Sequence, residues 1–405
     1  MEEYGYMKPK IEQREFEERV KRTQEAMKSE DLDLLFACGN EAEPQYIRYY
    51  SNYWPSFELA GVLIPAEGEP TLIIGPESET FAGSVSRISR IRRVLAFRES
   101  SEPEYPEAQL CTMAEVILEA MNGKAPRRIG IAGSCLISHV VHLALEEALR
   151  ELENPKLVKA DMMAARLRVN KSSAEIACMR EAYRITQCAM KKVLDEIRPG
   201  MTEEQVRGIA VGAMYREGAE GEAYPCWILA GEGSNLAIGR CRGKVIQPGD
   251  LVHIQIGARY EGYASTMGRA VIMGKAKPEQ KALIEASLAG QRAVLETAKS
   301  GVHVKEVYNA YYQAVKAHGQ ERHILYGPVH GTGLMEGEFP WIESNSDFLL
   351  EEGMTFCTCI YLGDNENGIG VRFEDGFLVT KEGTESFSDY GRELMDLERE
   401  MRSAE

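Results

Sequence analysis

Residues 326–340 read YGPVHGTGLMEGEFP. Glycine and proline crowd around a single histidine, His330. Such a density of both residues is incompatible with a helix or a regular strand interior. It predicts a tight loop that presses His330 against other groups. The function depends on what those groups are.

Around this loop lie strand-like runs at LVHIQIG (251–257), STMGRAVIM (265–273), MTFCTCIYL (354–362) and GVRFEDGFLVT (370–380). We read them as the sheet that lines a pocket. A faint repeat underlies them. KVLDEIRPGMTEEQV (192–206) matches AVLETAKSGVHVKEV (293–307) at an offset of 101 residues, and Gly218 matches Gly319 at the same offset. Each copy reads as a long helix, a glycine turn, a shorter helix and a strand-rich stretch. Two αα-ββ halves would enclose one site between them. Ser172 or Ser173 can cap the first long helix, which Pro199-Gly200 ends. Thr202 followed by Gln205 is the capping-box signature of the next.

The first 160 or so residues alternate differently. A helix is expected over 11–29, strands at 32–38, 61–64, 71–74, 93–97 and 129–132, and helices near 108–121 and 138–151. This is an α/β pattern. The expected division is residues 1–161 and 162–405.

Composition excludes several classes. Net charge is −16, from 47 Lys and Arg against 63 Asp and Glu, which disfavours nucleic acid and anionic lipid as partners. No apolar run reaches the roughly 20 residues of a membrane span. The N-terminus MEEYGYMKPKIEQRE has no apolar core of a signal peptide. Nine scattered cysteines without framework spacing point to reduced thiols and a cytoplasmic location.

The stretches PGD…GARYEGY (248–263), GPVHGTGLMEGEFP (327–340), LEEGMTF (350–356) and VRFEDGFLVTKEG (371–383) resemble, in order and spacing, the pita-bread family of creatinase, aminopeptidase P, prolidase and methionine aminopeptidase. The resemblance implies an α/β (α+β) chain: an N-terminal creatinase/prolidase-like accessory domain followed by a pita-bread domain with pseudo-twofold αα-ββ halves. It also implies a homodimer, in which Tyr49, Tyr53 and Trp54 are weak candidates for contacts over a partner's site.

The peptidase members hold two divalent metals with two Asp, one His and two Glu. Carried over position by position, the first Asp falls at Gln255, the second at Thr266 and the first Glu at Cys359, while His330 and Glu374 are retained. Two family histidines that contact substrate fall at Arg240 and at Gly337, beside Glu338. Neither an amide nor a hydroxyl supplies an anionic bridge, so a dinuclear site is not expected and no cofactor is assigned. A zinc set of Cys357, Cys359, His330 and Glu374 is a lesser option, with inert core cysteines as the simpler reading. Creatinase, a metal-free precedent, is not matched either, since its glutamates fall at Gly268 and Cys359.

If the scaffold holds, Gln255, Thr266, His330, Cys359 and Glu374 converge. His330, Cys359 and Glu374 would then be catalytic, with the thiol as nucleophile and Glu374 orienting the histidine or moving protons. Gln255 and Thr266 would stabilise an oxyanion. Arg240, Arg372 and Glu338 would contact the substrate, the arginines through a carboxylate. The leading expectation is a metal-independent hydrolase of a C–N bond in a small anionic or zwitterionic molecule. The alternatives are a non-catalytic binding protein and a metal-dependent Xaa-Pro peptidase.

Overall fold

The computed structural model of the chain describes residues 8–397. They form two units, one of Ile11–Arg168 and one from Val169 onward that also takes in the residues before Ile11.

The first unit is built on a six-stranded mixed sheet of β1 (Leu34–Gly39), β2 (Ala60–Pro65), β3 (Thr71–Ile74), β4 (Ile91–Arg93), β5 (Arg128–Ala132) and β6 (Lys156–Lys159), in the order β4-β3-β2-β1-β5-β6. The central strand β1 is buried along its whole length, as its unbroken apolar run requires. Helices form where periodicity and caps agree: Gln13–Ser29, His139–Glu151 with Ser138 as cap, and Met113–Ala120 behind a Thr112–Glu115 capping box. The run 93–97 is not a strand. Pairing stops at Arg93, and Leu95–Phe97 turns as a 3-10 segment that drops Phe97 edge-on to Phe36, ring centroids 6.4 Å apart. Tyr49 and Tyr53 are core residues of this unit, and Trp54 donates its Nε1 to the Glu41 carbonyl. The lid role expected of them therefore finds no support in this packing.

In the second unit the repeat is visible in the helix ends. Ser173–Glu196 and Glu203–Arg216 are followed by Pro278–Thr297 and Val304–Ala317, so the end of each long helix and both ends of each short one recur 101 residues later. Ser172–Glu175 and Thr202–Gln205 both form reciprocal capping boxes. Gly200 and its counterpart Gly301 follow the long helices with φ of 90° and 87°, a turn that other residues adopt only at a cost.

The strands after each helix pair meet in one sheet. β7 (Gly221–Glu222), β10 (Ala258–Tyr260) and β11 (Tyr263–Ala264) form a small separate sheet. The large one contains β8 (Trp227–Ala230), β9 (Leu251–Ile256), β12 (Met267–Ile272), β13 (Val329–Gly331), β14 (Glu338–Ile342), β15 (Thr355–Asp364) and β16 (Ile369–Val379), in the order β14-β13-β15-β16-β12-β9-β8. β16 is buried on both faces. On one face Val371, Phe373 and Phe377 pack with Phe356 and Ile360 in the core that includes the second helix pair. Each such aromatic stabilises the fold by about 1.5–3 kcal/mol. The other face carries Arg372 and Glu374.

Candidate active site

Five strands bring one row of residues side by side. Trp227 on β8 faces Gln255 on β9, Gln255 faces Gly268 on β12, Gly268 faces Glu374 on β16, and Glu374 faces Cys359 on β15. Directly paired residues project from the same face. Gly268 makes the row work. A Cβ there would stand 2.6 Å from Gln255 Oε1 and 3.2 Å from Glu374 Cβ. In the space it leaves, Gln255 Nε2 donates to Glu374 Oε2, and Thr266 Oγ1 donates to the same oxygen at 2.6 Å. Tyr224 OH joins Thr266 Oγ1 at 2.8 Å.

His330 enters from β13, the strand beside β15. The register slips between His330 and Gly331, a bulge that re-aims the side chain. Its Nδ1 donates to the Gly331 carbonyl at 3.0 Å, which leaves Nε2 as the working nitrogen, 3.2 Å from Glu336 Oε1. Trp341 packs on the ring with centroids 4.9 Å apart. Ligating atoms of His330, Cys359 and Glu374 all lie within 4.8 Å of one another. The expected convergence is therefore present.

The electrostatics are uneven. Burial alone would lower the pKa of His330, but Glu336 and the Cys359 sulfur outweigh it and hold the pKa well above the usual imidazole value. Burial would raise Glu336, and the His330 charge more than reverses that, with Arg372 adding to it. The two form an ion pair. Burial pushes the Cys359 thiol up and Glu374 adds to this, only partly offset by Arg372 and His330. A resting thiolate nucleophile at Cys359 thus has no electrostatic support.

Several assigned roles change. Gln255 and Thr266 spend their protons on Glu374, so they are not free to hold an oxyanion. Arg372 is not an open fork. Its Nη2 donates to the Ala237 carbonyl and, at 2.7 Å, to Tyr326 OH, while Nη1 lies 3.6 Å from Glu374 Oε1. The guanidinium is framed by Trp227, Tyr326 and Tyr361. Arg240 is exposed and joins none of these bonds. Glu338 is buried against Lys171, 3.9 Å away, and accepts from the Met335 amide, which makes it part of the loop's own structure. The carboxylate that reaches His330 is Glu336. Cys357 lies outside the cluster and turns its Sγ to the Thr358 carbonyl at 3.2 Å.

Besides Glu336, Tyr326 and His253 went unnoticed in the sequence. Tyr326 OH accepts from Arg372 and shares a hydrogen bond with Cys359 Sγ at 3.2 Å. His253 lies two residues before Gln255 on the same face of β9 and is fully buried. Burial, with Arg372 nearby, drops its pKa to about 3, and the Gln255 side chain and the Ser234 backbone oppose the shift only in part. The alternation of β9 could have flagged it, since a histidine at an inward position of an apolar strand is costly unless it meets something.

Two αα-ββ halves whose strands bring a buried histidine, cysteine and glutamate together define a pita-bread fold. Residues 177–381 match metallopeptidase family M24, and residues 19–170 match the creatinase/prolidase N-terminal domain. The chain belongs to that family. An Xaa-Pro dipeptidase of Pyrococcus furiosus is 27% identical over 384 residues, covering 93% of this chain and 99% of that protein. An Xaa-Pro dipeptidase of Lactobacillus helveticus is 32% identical over 232 residues, 56% of this chain and 62% of that one. The crystal structure of the prolidase from Pyrococcus horikoshii OT3 superposes with a TM-score of 0.79 at 26% identity, covering 93% of this chain and all of the other.

The donor set does not fit two metal ions. Among the described residues one imidazole, one thiol and one carboxylate come within 4.8 Å of one another, and Oε2 of that carboxylate is already held by an amide and a hydroxyl. No carboxylate stands at 255 or 266 to bridge a pair.

Proposed function

We propose that the chain hydrolyses the amide C–N bond of a short peptide, of the Xaa-Pro kind for which its relatives are named. The relatives favour this alternative over a small-molecule hydrolase, and they lend no support to metal independence. The observation that carries the reading is the meeting of His330, Cys359 and Glu374 on one spot of the sheet.

The chain's own residues supply recognisable parts. His330 and Glu336 hold a proton at Nε2 inside a nearly closed site, where it can pass to the nitrogen leaving a cleaved amide. Trp227 Nε1 and Glu374 Oε1 are buried without hydrogen-bond partners among the described residues. Buried polar atoms are rarely left so, and the backbone polar groups of a bound dipeptide would meet them. A second reading, a binding protein without turnover, is favoured by the high pKa of the Cys359 thiol and by Glu374 being tied to Gln255 and Thr266.

The test is release of free proline from Ala-Pro, followed chromatographically, with Pro-Ala as control. Full-length protein is assayed after chelation and after addition of Zn, Mn or Co. Release that falls at least about 100-fold in Glu374→Gln is expected. No release under any of these conditions sinks the peptidase reading and leaves the binder.

A further inference from the structure

We propose that Trp341 and Phe339 form an aromatic subsite beside His330 that selects an aromatic or large aliphatic Xaa side chain in Xaa-Pro peptides. The inference rests on the peptidase reading and deepens it, by naming the Xaa the chain prefers and the residues that choose it.

Three observations carry the proposal. The first is exposure. β14 ends the large sheet, and its burial alternates. Glu338, Pro340 and Ile342 are buried, whereas Phe339 and Trp341 are 38% and 42% exposed. Alternation puts both rings on one face. Two large rings left partly in water on one face are apolar surface that a bound apolar group would cover. The second is position. Trp341 pairs directly with His330 on β13, so the two side chains leave the same face. The indole lies against the imidazole, with centroids 4.9 Å apart, and His330 itself is almost wholly buried. A peptide placed with its scissile bond at His330 brings the adjoining side chain alongside this indole.

The third is room. Gly337, just before β14, is exposed and has no side chain. Apart from its chain neighbours, a Cβ there would meet among the described residues only Trp341 Cζ2 at 3.8 Å and His330 Nδ1 at 3.9 Å. Both are ordinary contact distances. The space where the indole and the imidazole meet is therefore unfilled. An apolar side chain, and an aromatic one above all, can pack there offset or edge-on to the indole. In an Xaa-Pro peptide the proline is fixed, so the side chain that varies, and that this subsite reads, is Xaa.

The test gives the full chain Phe-Pro, Leu-Pro, Ala-Pro and Gly-Pro, and follows proline release and, in parallel, binding by titration calorimetry. Phe-Pro and Leu-Pro are expected to exceed Gly-Pro by about 10-fold in kcat/KM and in affinity. Trp341→Ala should cut that ratio below about 3-fold while keeping its circular dichroism spectrum, and Trp341→Phe should restore most of it. Phe339→Ala, which removes a ring already partly in water, should lower the ratio by about 3-fold. Release or binding without preference among the four peptides would overturn the subsite and leave the peptidase reading standing. So would losses in Trp341→Ala and Phe339→Ala that fall equally on all four, or a preference that survives both changes. Binding of Phe-Pro that depends on Trp341 but yields no proline would keep the subsite and overturn the peptidase reading. Neither binding nor release of any of the four would overturn both.

Discussion

Glu374 and Asp375 are neighbours on β16 and project to opposite faces of it. Both are fully buried. Asp375 is saturated: it accepts from Arg269 at 2.8 Å, from Ser388 at 2.5 Å, from Gln291 at 3.0 Å and from Arg392 at 2.8 Å. Arg269 is used up as well, on Asp375 and on the carbonyls of Gly268, Glu374 and Tyr390. On the face of Glu374 the bonds are incomplete. Glu374 Oε1, Arg372 Nε and Trp227 Nε1 have no hydrogen-bond partner among the described residues. One strand thus carries a closed polar network behind the sheet and an open one in front of it. The closed network is what a fold needs, and an open one is costly unless something else comes to fill it.

The largest effect should come from the closed face. Asp375→Ala strands Arg269 in the core, and a loss of about 3–5 kcal/mol is expected in denaturant unfolding. A loss below about 1 kcal/mol would mean that the two faces do not differ as described. Next comes the hinge between the strands. Gly268→Ala forces the Gln255 amide away from Glu374, and about 1–3 kcal/mol should be lost together with activity. An unperturbed variant would show that the missing Cβ is not what joins the row.

Acid should expose the cost of the open face. His253 has a pKa of about 3 in the fold, against an ordinary 6.5. Above pH 6.5 the ring is neutral in both states and adds no pH dependence. As pH falls toward 3, the unfolded chain takes up a proton that the folded ring refuses, so stability drops. Between pH 7 and 4.5 the wild type should lose roughly 3–6 °C more in Tm than His253→Leu. Equal losses would place the acid sensitivity elsewhere. The smallest effect is chemical labelling. Iodoacetamide should modify exposed Cys135 and Cys188 well before Cys359, whose thiol is buried and raised in pKa. Rapid labelling of Cys359 would restore it as a nucleophile.

Much of the scaffold was legible before any coordinates. Caps at Ser172 and Thr202, the 101-residue repeat and the glycines that end its helices are local signals, and local structure obeys them. The convergence of Gln255, Thr266, His330, Cys359 and Glu374 was expected from the family resemblance, because positions that share metals in the relatives must lie close together. What the strands could not convey was hydrogen-bond direction. Gln255 and Thr266 turned out to serve Glu374, and Arg372 was already engaged by Tyr326 and Ala237. The carboxylate beside His330 Nε2 is Glu336, where Glu374 was expected to orient the ring, and no spacing in the glycine loop signals that contact. Tyr326 stood at the head of the glycine loop, yet its role depends on a distant arginine and a cysteine on another strand.

The most direct test sets Glu374→Gln beside Asp375→Asn, measuring urea unfolding and Ala-Pro turnover on the same samples. Glu374→Gln should stay within about 1 kcal/mol of wild type while turnover falls at least about 100-fold. Asp375→Asn should lose about 3 kcal/mol or more, because Arg269 keeps its shape partner and loses its counter-charge. Equal destabilisation by the two changes, or a Glu374→Gln protein that still releases proline at the wild-type rate, would contradict the assignment of the open face to function.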